Sequence, residues 1–379
     1  MSKLNVSNIF NENEDGAPAV SGISTFSSPH YFVPPSGSTA QRPQNPGEGM
    51  IRFNTDSGHL EYYSGQLWVD VIVNNNNLGV STFADGISAK GTGTRGLIFG
   101  GGYSGASPNV NHDVIDYVSI STQGNAADFG DISTATNTHA CLASATRGVV
   151  AGGNGLSSGI QFVTIASTGD TSTFGTLNGG TNSHFNGCAS STRGLFAGGW
   201  APAKDEIEYI TIASTGNGVD FGNLTVARIG PGALSSQVRG VFTAGAIPST
   251  VTTDYVTISS TGDAQDFGDL TFNTLTTGTS NSTRGILFRA NGSGNDINFI
   301  TIASTGDAQD FGDQTVSDRY VTAGMASQTR AINAGGTAHS TGDVMDFVEI
   351  SSTGNAVDFG NLTQGRFRTA GCSNGHGGL

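Results

Sequence analysis

Tyr255-Val-Thr-Ile-Ser-Ser-Thr-Gly-Asp-Ala-Gln-Asp-Phe267-Gly268 is the stretch on which the fold turns, because the chain writes it six times. The leading aromatics are Tyr117, Phe162, Tyr209, Tyr255, Phe299 and Phe347. Each is followed twelve residues later by a phenylalanine (Phe129, Phe174, Phe221, Phe267, Phe311 and Phe359), and glycine follows every one of these. Tyr-Val-Thr-Ile alternates side chains on a β-branched backbone, as a two-faced strand does. Ser-Thr-Gly-Asp supplies the glycine and turn-forming polar residues of a reversal. Asp-Phe-Gly-Asx-Leu returns as a second strand. The unit predicts a β-hairpin with an aromatic anchor on each arm. Burying one such ring is worth roughly 1.5–3 kcal/mol, so the twelve rings are expected to dominate the core.

A second marker precedes each hairpin: Thr-Arg-Gly at Arg95, Arg147, Arg193 and Arg284, with variants at Arg239 and Arg330. Successive arginines are 52, 46, 46, 45 and 46 residues apart. An apolar strand ending in small residues follows each, such as Leu195-Phe-Ala-Gly-Gly, then a loop of variable length. A Gly/Ala/Ser-rich strand such as Gly232-Ala-Leu-Ser-Ser236 closes the unit. Four short strands and four turns fill about 46 residues, the size of a propeller blade and too long for a β-helix rung. The order of these strands resembles the kelch repeat, with Phe-Gly where kelch has its tryptophan. That resemblance implies an all-β, six-bladed kelch-like β-propeller over residues 94–379. The sixth unit runs on into Thr369-Ala-Gly-Cys-Ser-Asn-Gly375, while no such strand precedes Thr94. Residues 368–377 are therefore expected to supply the innermost strand of the first blade and remove its open edge.

Ahead of the repeat, residues 1–39 show no sustained period and read as an extended attachment arm ordered against a partner. Residues 40–73 read as three short strands, a small β-meander that needs a neighbour or symmetry mate. Within it Ala40-Gln-Arg-Pro, Gly49-Met-Ile-Arg-Phe-Asn-Thr, Leu60-Glu-Tyr-Tyr and Trp68 resemble a module of tail-fibre and other virion structural proteins of tailed bacteriophages. Residues 74–93 read as a linker. The resemblance implies a virion protein of tail or surface appendage, made in the host cytoplasm. Its expected partners are other virion proteins through residues 1–73, further copies of itself, and a host-surface glycan or protein through propeller loops.

Composition narrows the function classes. A net charge of −14 opposes an electrostatic grip on nucleic acid. No stretch reaches the length of a membrane span, and the opening Met1-Ser-Lys-Leu-Asn-Val-Ser lacks an apolar signal-peptide core. Cys141, Cys188 and Cys372 read as small buried side chains. Asp263, Asp266 and Asp269 recur every third residue but lack the order of a calcium loop. No nucleophile elbow, zinc spacing or phosphate loop appears, so no catalytic, metal or cofactor residue is assigned and no enzyme is expected. The six repeat arginines are expected to be structural, paired with the Asp of Asp-Phe-Gly or with backbone carbonyls between strands. Recognition is expected on the variable loops, with Tyr103, Asn109, His112, Trp200 and Lys204 as candidates. A decorating protein of capsid or baseplate and a glycan-acting propeller enzyme are the alternatives.

Overall fold

A computed structural model describes residues 34–56, 59–70, 94–103, 110–180, 182–200, 202–291, 294–336 and 342–379. The arm before residue 34, the linker and the 104–109 loop segment lie outside these residues. Over the described residues the chain is all-β, with seven small sheets, and it divides into two compact units between Asn75 and Asn76.

The first unit is one sheet in the order Ser36–Gly37, Ile51–Asn54, His59–Tyr63, Trp68–Asp70. Ser36–Gly37, in the stretch read as arm, runs parallel to Phe53 and Asn54, and the remaining pairs are antiparallel. Its polarity is inverted. Arg52, Asn54 and Glu61 are buried, and residues 38–42 fold over them. Glu61 accepts hydrogen bonds from Arg42 (2.5 and 3.2 Å) and Asn54 (3.1 Å) and pairs with Arg52 (3.3 Å). The Arg42 hydrogen bond holds the Glu61 carboxyl below its ordinary range, against the opposing effect of burial.

The second unit holds six repeats of one sheet. A representative is Gly232–Ser235, Arg239–Thr243, Thr252–Thr257, Gln265–Asp269, paired antiparallel in that order. The first sheet draws its small-residue strand from the far end of the sequence. Ala370–Ser373 pairs with Arg95–Phe99, Cys372 opposite Leu97, as the sequence predicts. The first sheet also carries the added strand Gly102–Tyr103 against Val110–Ser119.

Apolar side chains on the two faces of each sheet enter two different cores. Six cores result, each shared by two consecutive sheets. One of them joins Ile98, Val118 and Ile120 of the first sheet to Ile332, Phe347 and Phe359 of the sixth. The three thiols are free and buried; Cys141 and Cys372 share the core between the first two sheets.

Why Phe-Gly recurs is visible in the register. Asp254 faces Asp266 and Thr253 faces Gly268, so Phe267 is the extra residue of a β-bulge and its ring turns into the core. The same shift occurs in all six hairpins. Gly268 has φ +140°, and a Cβ there would sit 2.5 Å from the carbonyl of Gly306, the turn glycine of the next sheet. The turn is thus a joint between sheets as well as a reversal. Gly306 N–H donates to Phe267 O (2.7 Å), Ala308 N–H to Asp269 O (2.8 Å), and Asp307 Oδ1 accepts Asp269 N–H (3.0 Å). The sixth sheet makes the same joint with the first: Gly124 to Phe359 (2.9 Å), Ala126 to Asn361 (2.8 Å), and Asn125 Oδ1 from Asn361 N–H (3.1 Å). Gly268→Ala meets both a positive φ and a backbone wall, so it is expected to cost about 1–3 kcal/mol. A thermal melt of the variant checks this; an unchanged midpoint would remove the joint from the account.

The twelve rings divide into two kinds. The second-arm phenylalanines are fully buried, each edge-on to its hairpin partner at 5.8–6.1 Å between centroids. Phe162, Tyr209, Tyr255 and Phe299 are only half-buried. Each of the six first-arm rings carries a repeat arginine on its face, 4.4–4.9 Å from guanidinium carbon to centroid.

Candidate recognition surface

The six repeat arginines are clamps between sheets. Nη1 of Arg95, Arg147, Arg193, Arg239 and Arg284 donates to the carbonyls of Ile165, Ile212, Ile258, Ile302 and Ile350, each in the following sheet (2.7–3.0 Å). Arg330 reaches Ile120 and Ser121 of the first sheet (3.5 and 3.1 Å). Of the two structural partners expected from sequence, the carbonyl is the one these bonds reach. The Asp of Asp-Phe-Gly precedes an inward phenylalanine and so is exposed, as at Asp220, Asp266, Asp310 and Asp358. Asp263, the first of the three acids spaced every third residue, and its counterpart Asp307 accept backbone N–H groups of the preceding sheet.

A further set of joints was not read from sequence. The residue just before each first-arm aromatic is polar and reaches back to the chain leaving the previous sheet. Asp254 accepts the N–H and hydroxyl of Thr225 (3.1 and 2.6 Å), Asn298 those of Thr271, Asp346 those of Thr315, and Asp116 those of Thr363. Glu208 accepts from Asn178 and Gly179, and Gln161 from Ser133. Where this residue is Asp, a fully buried arginine pairs with it: Arg228 with Asp254, Arg319 with Asp346 (3.0 Å), Arg366 with Asp116 (3.0 Å). Where it is Gln161 or Asn298, the matching positions are Thr136 and Thr274. That co-occurrence of Asp with Arg and amide with Thr was the available signal.

Of the five candidate recognition residues expected on variable loops, the structure puts His112 in the strand Val110–Ser119, Lys204 at the start of the strand Lys204–Thr211 and Tyr103 in the short strand Gly102–Tyr103, with Trp200 in the connection ahead of Lys204. Trp200 is 39% exposed. Its backbone is anchored through a bridge to Ser183 and a bond from its N–H to Asn182 Oδ1 (3.2 Å), so the indole is presented from a fixed support. Lys204 is tied down: its Nζ donates to Gly179 O (3.2 Å) and lies 3.7 Å from Glu206. His112 is partly buried and meets Gln364 through Nδ1 (3.4 Å); burial chiefly, with Arg366, lowers its pKa while Asp113 opposes. Tyr103 lies at the end of a short strand with Gly102, and Asn109 lies outside the described residues. Among the described residues, no hydrogen bond or ring contact joins the 103–113 loop to the 200–206 loop. The two groups stand on the first and third sheets, with an asparagine chain between the first and second: Asn137 Nδ2 to Asn111 Oδ1 (2.6 Å) and Asn154 Nδ2 to Asn137 Oδ1 (2.7 Å).

The small-residue first strands neighbour one another in order, and the connections entering them form a rim at the loop end. Thr138, His184, Gly230, Val321 and Arg368 all have φ of +50° to +59°, unusual for β-branched Thr and Val. Hydrogen bonds along the rim hold this geometry: Thr138 N–H to Arg368 O (3.1 Å), His184 to Thr138 (2.8 Å), Gly230 to His184 (2.6 Å). At the other end residues 374–379 lie across the first strands. His376 Nε2 meets Ala143 O (2.8 Å) and Gly377 N–H donates to Ser280 O (2.8 Å). A Cβ on Gly378 would sit 1.7 Å from Ala189 O.

His139 and His184 are not equivalent in their sheets: Thr138 and His184 occupy the matching left-handed position. Burial pushes both imidazoles down to about 4, Arg366 adding to the effect at His139 and Arg368 at His184, while a bond to Phe99 O opposes it at His139. The unfolded chain takes up protons at these sites below about pH 6.5 and the folded chain does not until about pH 4. Their contribution therefore lowers stability as pH falls through that window and is flat above it. Comparing melts of the wild type and His139→Gln from pH 7 to pH 4.5 checks this: the variant is expected to lose less stability on acidification.

In comparisons with known proteins, no protein-family model and no curated protein matches this chain.

Proposed function

We propose that this chain is a structural protein of a tailed-bacteriophage virion, a tail-fibre or appendage component that displays a closed, six-bladed kelch-like β-propeller for host-surface recognition. The ring is supported by four kinds of joint, each recurring between successive sheets and again between the sixth and the first: shared cores, turn glycines, arginine clamps and the polar residue before each aromatic. Such a body is rigid at its centre and variable in its loops, the division that recognition proteins on repeat scaffolds use. The virion assignment rests on the resemblance of residues 40–73 to a phage module.

The observation that carries recognition is the exposed, rigidly based indole of Trp200, since aromatics with polar neighbours suit glycan or protein contact. Affinity would accumulate over several copies in the particle. The firm attachment of Lys204 favours a second reading, a decorating protein whose loops bind nothing. Mass spectrometry of particles made by the genome that encodes this chain tests the first step; absence of the chain from purified particles contradicts the proposal. Adsorption of the isolated protein to the bacterial host tests the second. Trp200→Ala is expected to weaken it at least about tenfold; full-length protein that never adsorbs leaves the decorating role.

A further inference from the structure

We propose that the recess at the loop end of the first strands binds an acidic sugar, whose carboxylate or phosphate is taken by the guanidinium of Arg368 at the lip. Each of the six sheets of the larger unit contributes to this recess, through Thr138, His184, Gly230, Leu275, Val321 and Thr369. The chain carries 30 acidic residues against 16 basic ones, yet among the described residues no carboxylate lines it.

Arg368 departs from the other ten arginines of the larger unit. Six of those clamp neighbouring sheets, Arg228, Arg319 and Arg366 pair with buried aspartates, and Arg289 pairs with Asp296 (2.8 Å). Among the described residues nothing accepts a hydrogen bond from the Arg368 side chain, and its Nε is buried without a partner. The group is held in place all the same. Its guanidinium carbon lies 5.1 Å from the ring centroids of both Tyr320 and Phe367. Stacking on two rings fixes the guanidinium and leaves its N–H edge for an acceptor. Tyr320 runs directly into Val321 and Thr322 of the recess, and His184 lines it. Burial first, and then the charge of Arg368, lowers the His184 pKa, which sets the guanidinium near that imidazole.

A partly dehydrated guanidinium with unmet donors favours an anion, and a planar pair of oxygens matches its fork. The walls select what carries that anion. His139 and Thr369 line the recess and are buried, and His139 Nδ1 and Thr369 Oγ1 have no hydrogen-bond partner. His139 Nε2 meets Phe99 O (3.1 Å) and so carries the proton of the neutral ring, which leaves Nδ1 an acceptor. Hydroxyl groups suit both atoms, and a ligand that joins hydroxyls to an anionic group is an acidic sugar. The inference deepens the recognition reading and rests on it for the source of the sugar, a host-surface glycan.

Isothermal titration of the full-length chain with glucuronate, glucose 6-phosphate and glucose tests the site, beside Arg368→Gln and Arg289→Gln. The wild type is expected to bind at least one of the two acids, and glucose about tenfold or more less tightly; the tighter acid identifies carboxylate or phosphate as the group taken. Arg368→Gln is expected to lose about tenfold or more in affinity for that acid, and Arg289→Gln none. Failure to bind either acid, equal binding of glucose, or acid binding that survives Arg368→Gln overturns the proposal. Binding of triglutamate in place of both sugar acids overturns it too, by making a protein carboxylate the ligand. If Arg368→Gln lowers the melt, Arg368→Lys decides, since it keeps the charge and loses the fork: weaker acid binding is expected, and unchanged affinity contradicts the site. Cells play no part in these readouts. Acid binding by a chain that never adsorbs to the host upholds the site and removes host recognition, and adsorption without acid binding does the reverse.

Discussion

Deleting residues 370–379 is expected to abolish cooperative folding of the larger unit. Ala370–Ser373 is the small-residue strand of the first sheet, and its removal bares the edge of Arg95–Phe99 and uncovers Leu97, Ile98 and Phe99, all fully buried in the intact chain. At roughly 1.5–3 kcal/mol for each such side chain, the loss from those three alone approaches the 5–15 kcal/mol that typically separates a folded domain from its unfolded chain. The joints from the sixth sheet to Gly124 and Ala126 would remain but would close onto an incomplete sheet. Calorimetry should show the sharp transition replaced by a broad or absent one. A permuted chain that carries residues 366–379 ahead of Thr94 separates loss of a strand from damage by truncation. It gives the first sheet the local connectivity of the other five and is expected to restore the transition. A truncated chain melting like the wild type would mean that this strand is dispensable.

The second large effect is expected at the buried ion pairs. Arg228 and Asp254 are both fully buried, and Asp254 also holds the N–H and hydroxyl of Thr225. Asp254→Ala leaves an uncompensated guanidinium inside the protein, and removal of one partner of such a pair costs about 3–5 kcal/mol. The protein itself indicates the repair: at the matching positions between the fourth and fifth sheets stand Asn298 and Thr274, with Asn298 keeping the two bonds to Thr271. Arg228→Thr/Asp254→Asn is therefore expected to recover most of the stability that Asp254→Ala loses. Urea denaturation of both single variants and the double variant, read as a cycle, measures the coupling. Additive losses would show that the two groups do not act as a pair.

What could be read from the sequence was whatever repeats locally. The hairpin lies within one run of fourteen residues, and six copies made its strands and turn unmistakable. The pairing of Ala370–Ser373 with Arg95–Phe99 was legible because five complete units showed which strand the first one lacked. Contacts between sheets were harder, since their partners lie far apart in sequence. Thr363 and Asp116 are 247 residues apart, and Arg239 and Ile302 63. Asp307 reads as an ordinary turn residue until the neighbouring strand is placed beside it. Lys204 stood among the recognition candidates because nothing local says that its ammonium folds back to Gly179. The small sheet was misleading in a different way. Alternation along Ile51-Arg-Phe-Asn54 identifies a two-faced strand correctly. It does not reveal that Glu61 and Arg42 turn the polar face inward.

Amide hydrogen exchange over the first strands tests the proposed ring closure most directly. The account predicts that the amides of 370–374 exchange as slowly as those of Ala140–Ala143 and Thr276–Ser280, because all three segments occupy the same place in their sheets. The amides of Gly124 and Ala126 should be protected alongside them. Fast exchange at 370–374 while the other first strands stay protected would mean that the ring is open between its sixth and first sheets.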